Sequence, residues 1–129
     1  MKKKQVTKKK KEVVSHAILR VLARPNNTIL SLCKPNGDVL KQVSCGSLGF
    51  KNCRKSTPHA TQTAIKQMIG NAIDMFFVKQ MDVIVKGIGL GRDSILTHLQ
   101  GLQGLEVLSI EDVTNPPYGG VRFARARRV

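Results

Sequence analysis

The spacing of apolar residues along this chain changes at a Ser-Thr-Pro triplet, residues 56–58. Before the triplet, residues 15–23 alternate with period two, and the segments "TILSLCK" and "VLKQVSC" are joined by the hairpin turn "PNGD". After it, apolar residues form adjacent rows at spacing four. Period two is typical of a strand with one buried face, and spacing four of a helix that lies on a sheet. The pattern predicts three antiparallel strands and then one long helix, whose buried stripe comprises Ala64, Ile65, Met68, Ile69, Ala72, Ile73, Phe76 and Phe77.

The second half of the chain adds two strand patterns and a shorter helix. "DVIVK", residues 82–86, has the length and apolar content of a buried strand, and the glycine-rich turn "GIGLGRD" follows it. "SILTHLQGL", residues 94–102, predicts a helix with Ile95, Leu99 and Leu102 on one side, and "EVLSIEDV" predicts the last strand. The order β-β-β-α-β-α-β indicates an α/β fold, in which helices cover a mixed sheet.

Positive charge is concentrated at the two ends of the chain. The 129 residues contain 22 Lys and Arg against 8 Asp and Glu, a net charge of +14. Seven Lys and one Glu lie in residues 1–12, and four Arg and no acid lie in residues 118–129. We therefore divide the chain into a basic N-terminal extension (1–14), an α/β domain (15–114) and a basic C-terminal tail (115–129). Such ends indicate a polyanionic partner, the alternative being tails that only aid solubility.

Several classes of protein are disfavoured by the sequence. Apolar stretches are far shorter than the roughly 18 residues of a membrane span. The three cysteines are too widely spaced for a zinc site of two close pairs and are expected to be free thiols. The acids are scattered, with Asp38 in a hairpin turn, Asp82 in a strand and Asp112 near a strand end. The sequence therefore predicts no catalytic residue, no metal site and no cofactor.

The stretch "GFKNCRKSTP" is the first candidate RNA-binding segment. It places cations directly before a helix whose N-cap is Thr57 and whose first residue is Pro58. Cations at the positive end of a helix dipole are unfavourable unless an anion is bound there. We predict that free N–H groups and hydroxyls bind a backbone phosphate, the alternative being a merely solvated loop. The predicted residues are Lys51, Asn52, Arg54, Lys55, Ser56 and Thr57.

The glycine-rich turn "VKGIGLGR", residues 85–92, is the second candidate. Its alternating glycines would let the backbone approach a phosphate closely, although the spacing matches neither a Walker A loop nor GxGxxG. An ordinary turn between a strand and a helix is the alternative. The predicted residues are Lys86, Gly87, Gly89, Gly91 and Arg92.

The tail "NPPYGGVRFARARRV" is the third candidate. It intersperses two aromatic rings with arginines, which grip phosphates bidentately and stack on bases. Without an apolar face, this composition indicates RNA rather than a membrane. The predicted residues are Tyr118, Arg122, Arg125, Arg127 and Arg128.

Taken in order, these motifs resemble the S-eleven family of small-subunit ribosomal proteins, from about residue 16 to residue 129. The matching pieces are "NNTI", "GFKNCRKSTP", "VKGIGLGRDS", "EDVT" and the terminal "RRV". The resemblance implies that Asn26 and Asn27 also face rRNA. It further implies a ribonuclease-H-like fold without catalysis and a place on the platform of the small subunit. There the family binds rRNA close to the exit path of mRNA, beside the seventh, eighteenth and twenty-first small-subunit proteins.

Two departures from the family pattern affect what the resemblance implies. The family's glycine loop usually reads GPGPGR, whereas Ile88 and Leu90 replace the prolines here, so a less stiff loop is expected. The tail "PYGGVRFARARRV" replaces PHNGCRPPKKRRV. Such drift favours an organellar ribosome, with the mitochondrial matrix preferred over a plastid or a bacterial cytoplasm. Since the start has neither an apolar signal core nor a transit-like composition, we expect synthesis where the protein works.

Two other functions remain open at this point. One is an RNA- or DNA-binding module that acts away from the ribosome. The other is a metal-dependent nuclease that uses Asp38, Asp82 and Asp112, which a sheet of this order could support.

Overall fold

The computed structural model describes residues 13–101 and 104–129. It contains five strands and two α-helices: β1 (His16–Arg24), β2 (Asn27–Cys33), β3 (Val39–Ser44), α1 (Pro58–Phe76), β4 (Gln80–Lys86), α2 (Gly91–Leu99) and β5 (Glu106–Asp112). Two short 3-10 helices, Gly46–Leu48 and Asn52–Ser56, lie between β3 and α1. The prediction of a mixed α/β fold is confirmed.

The five strands form one sheet in the order β3-β2-β1-β4-β5. The pairs β1–β2 and β2–β3 are antiparallel, whereas β1–β4 and β4–β5 are parallel. The carboxyl ends of β1, β4 and β5 therefore lie at the same end of the sheet, together with the start of β2. We call this the carboxyl end of the sheet.

The core lies between one face of the sheet and the two helices. On β1, Ala17, Leu19 and Val21 are buried, and Arg20 between them is exposed, as period two predicts. They pack in a single cluster with the apolar side of α1 and with Ile95 and Leu99 of α2. Among residues 13–101 and 104–129, no helix is long and apolar enough to cross a membrane.

The end of α1 differs from the predicted stripe. Phe77 lies beyond the helix in the left-handed region, at φ 54, and 48% of its surface is exposed. Its N–H donates to Ile73 O, and that of Val78 to Ala72 O, which closes the helix. Because the chain reverses here, Val78 occupies the core position expected for Phe77.

Three element boundaries also differ from the sequence prediction. Helix α2 begins at Gly91 rather than Ser94 and ends at Leu99, and the expected position Leu102 lies outside the described residues. Strand β4 begins at Gln80, since that residue pairs with β1 and β5. Val14, which the sequence analysis assigned to the N-terminal extension, donates its N–H to Phe76 O and packs on the core. Residues 1–12 of that extension lie outside the described residues.

Candidate nucleic-acid interface

Three of the predicted segments meet at the carboxyl end of the sheet. The β1–β2 turn carries Asn26, and the glycine loop is held against it by a bond from Gly89 N–H to Ala23 O, 3.1 Å. The starts of both helices pack on the same buried residue, Thr28 of β2. The fold thus gathers residues 26–27, 51–57 and 86–92, which are far apart in the chain. The tail, residues 115–129, is exposed throughout.

The basic loop before α1 presents its cations to solvent. Lys51 and Arg54 are exposed, Lys55 is half-buried, and an open groove of about 500 Å³ lies along residues 48–54. Asn52 adopts φ 52, a left-handed conformation that Asn tolerates better than most residues. The Phe50 ring meets the His59 ring edge-on with centroids 6.1 Å apart, and this contact fixes the loop against the helix.

The hydroxyls of this loop do not have the predicted role. Thr57 is the N-cap, as expected, and its Oγ1 accepts from Ala60 N–H at 3.4 Å. The Thr57 hydroxyl donates to Arg54 O at 2.8 Å, and the Ser56 hydroxyl to Cys53 O at 2.9 Å. Because each hydroxyl has one proton, neither can donate to a phosphate in this conformation. The exposed cations and the backbone are left to bind an anion here.

The glycines of the second loop are required by contacts within the protein. A Cβ at Gly87, which has φ 106, would lie 2.0 Å from Ala23 O, and one at Gly89 would lie 2.5 Å from Arg24 O. At Gly91 it would lie 2.7 Å from the hydroxyl oxygens of Thr28 and Thr61. This packing favours the alternative of a structural turn. The outward side of the loop carries Ile88 and Leu90, which are 78% and 70% exposed.

Arg92 is engaged inside the protein rather than presented to solvent. Its guanidinium donates to Gly87 O at 2.7 Å, to Thr114 Oγ1 at 3.4 Å and to the Asp112 carboxylate. The Thr114 hydroxyl in turn bonds Asp112 at 2.6 Å. The motifs "GLGRD" and "EDVT" are thus two halves of one network. Sequence reasoning missed the roles of Asp112 and Thr114, because no local pattern links residues that far apart.

The network makes the carboxyl group of Asp112 more acidic. Bonds from the side chain and backbone of Thr114, and then from Arg92, lower the pKa of Asp112 to about 2. Hydrogen bonds to the charged form of a carboxyl stabilise that form. Asp112 is therefore ionised at neutral pH.

Two cations that the sequence analysis did not select lie beside this end of the sheet. Arg20 and Arg24 project from β1 on the face opposite the helices, next to Lys86 of β4. The sequence signal that could have identified them is their position on the polar side of a strand with period two.

The acids considered for a nuclease are not brought together. Asp82 accepts bonds from His16 at 2.8 Å and from the Ser109 hydroxyl at 2.9 Å. Asp112 belongs to the network of Arg92, and Asp38 lies in the β2–β3 turn. Within the described part of the chain, no group of three or more His, Cys, Asp or Glu could hold a metal ion.

The protein is a mixed α/β domain with exposed cations and two helix starts at one end of its sheet, features that are typical of basic proteins that bind polyanions. The family model "Ribosomal protein S11" matches residues 17–128. The small ribosomal subunit protein uS11 of Rippkaea orientalis is 42% identical over 127 residues, which cover 98% of this chain and 96% of that protein. The chain therefore belongs to the ribosomal protein S11 family, whose members are structural and not enzymes.

Proposed function

We propose that this protein is a structural component of the small ribosomal subunit and binds small-subunit rRNA through the carboxyl end of its sheet. The observation that carries the proposal is the convergence of residues 26–27, 51–57 and 86–92 at that end, in a chain of this family. The exposed Lys51 and Arg54 contact phosphates, while the Arg92 network holds the adjoining loop in shape. The tail adds Tyr118, Arg122, Arg125, Arg127 and Arg128, all of them exposed.

Finer parts of the proposal come from the family resemblance. They are a place on the platform, contact with mRNA near its exit path, and the seventh, eighteenth and twenty-first small-subunit proteins as neighbours. The ribonuclease-H-like character of the sheet is supported by three antiparallel strands that precede two parallel ones. For the compartment we retain the mitochondrial matrix as a prediction. A cyanobacterial relative is equally compatible with a plastid or bacterial ribosome.

Fractionation of a native lysate on a sucrose gradient in magnesium and moderate salt tests the proposal. We expect the protein to peak with the small subunit and the assembled ribosome at constant stoichiometry to the small-subunit rRNA. The identity of that rRNA reports the compartment. A protein that stays at the top of the gradient contradicts the ribosomal role and favours a free RNA- or DNA-binding module.

A further inference from the structure

One face of the sheet is left uncovered by the two helices. On this face Leu22 of β1 pairs with Ile29 of β2, and Ile84 of β4 pairs with Arg20. The three apolar side chains are only half-buried. Together with Ser31, Gln42 and Val113 they line an open groove of about 470 Å³, which we call the sheet groove. Its floor is apolar, and it runs to the carboxyl end of the sheet.

Three exposed cations border the sheet groove. Arg20 and Arg24 come from β1, and Lys86 comes from the neighbouring strand at the level of Leu22. Within residues 13–101 and 104–129, no hydrogen bond or ion pair engages these three side chains, in contrast to Arg92. Glu111 of β5, opposite Ile84, is near but does not line the groove. These three cations lie beside apolar surface, and a bound anion would neutralise them.

We infer that the sheet groove binds an unpaired segment of RNA, with Arg20, Arg24 and Lys86 on its phosphates and the apolar floor under its bases. The inference rests on the proposed function and adds a second contact surface to it. Charge complementarity indicates a polyanion. The apolar floor indicates exposed base faces, which duplex RNA does not offer. Ser31 and Gln42 supply donors and acceptors for base edges. Lys86 joins this surface to the cluster at the carboxyl end.

The test compares two double variants of the full-length protein that remove equal charge, one from the sheet groove and one from positions outside it. Arg20→Gln with Arg24→Gln removes two cations of the sheet groove, and both of them lie outside the residues of the proposed rRNA site. Lys66→Gln with Lys79→Gln is the control, and both of its lysines are exposed away from the groove. Binding to full-length small-subunit rRNA transcribed from the same genome is measured against salt concentration. Circular dichroism and thermal unfolding verify that both double variants retain the fold.

We expect the groove variant to bind about ten-fold more weakly, and the slope of log K against log salt to fall by about 1.4–1.8, as for two lost phosphate contacts. The control should lose less than about three-fold. Equal losses in the two variants would overturn the inference while leaving the proposed function standing. Failure of the unsubstituted protein to bind rRNA would refute the proposed function itself.

A second pair of variants tests the groove without removing a cation. Gln42→Glu places a carboxylate at the groove, and Gln67→Glu places one on the exposed side of α1. We expect weaker rRNA binding only for Gln42→Glu. If that variant binds free rRNA normally but fails to enter the assembled subunit, the occupant is a protein and the inference is wrong.

Discussion

The two helix starts look alike in the sequence but use their cations differently. Before α1, Lys51 and Arg54 stand in solvent on a loop fixed by the Phe50–His59 contact. In the first turn of α2, Arg92 is bound to a carbonyl, a hydroxyl and a carboxylate of the protein itself. A cation beside a helix start therefore indicates an anion site only when the protein supplies no anion of its own. The first loop leaves its cations exposed for the anion that we propose it binds, whereas Arg92 of the second joins the glycine loop to β5.

The largest expected effect is a loss of stability when a glycine of the second loop is replaced. Gly87→Ala should destabilise the fold by at least about 3 kcal/mol, because its Cβ would meet Ala23 O at 2.0 Å in a left-handed conformation. Gly70→Ala in α1 is the control, since its Cβ would meet nothing within 4 Å. It should stabilise by about 0.5–1 kcal/mol. Chemical denaturation measures both. A Gly87→Ala protein as stable as the parent would show that the loop can move away from β1.

The next prediction compares a variant that should weaken RNA binding with a variant that should lower stability. Arg54→Gln should leave the thermal midpoint unchanged but lower the salt slope of rRNA binding by about 0.7–0.9, because one exposed phosphate contact is lost. Arg92→Gln should lower stability by about 1–2 kcal/mol, since it removes bonds to Gly87 and Asp112, and should barely alter the slope. Thermal unfolding and filter binding on the same preparations check this. A lower slope for Arg92→Gln would assign that residue to RNA after all.

The smallest effect is a dependence on pH. Because the folded pKa of Asp112 is lowered from 3.8 to about 2, its contribution to stability is complete above pH 3.8 and is lost as pH falls towards 2. Comparing melts of the parent and Asp112→Asn between pH 6 and 2 isolates this contribution from the general acid sensitivity. The two curves should converge at the acid end. Curves that stay parallel would mean that the carboxylate is not held in its charged form.

Local patterns were sufficient for most of the fold. Thr57 and Pro58 mark the start of α1, and the alternation along β1 identifies its buried side. Each of these features is visible in a short stretch of sequence, because it depends only on neighbouring residues. The burial of Val78 in place of Phe77 was not predicted, because it depends on how the chain reverses after α1.

The sequence identified the segments of the candidate site but not the roles of individual residues within them. Sequence selected the three loops that meet at the carboxyl end, although their meeting depends on sheet order. It could not show that Arg92 is neutralised by Asp112, twenty residues later, or that the glycine loop rests on Ala23. The sequence analysis also did not select Arg20, because the role inferred for Arg20 depends on the face of the sheet that the two helices leave uncovered.

The parallel arrangement of β1 and β5 sets how far apart the chain enters and leaves the domain. Val14 lies at the amino end of β1, beside Phe76, and Val113 follows the carboxyl end of β5. At about 3.3 Å per residue, seven to nine residues of strand separate these points by about 25 Å. The chain therefore enters the sheet at one end and leaves it at the opposite end. A single partner touched beside both exits must extend at least that distance, and two separate partners would be held apart by it.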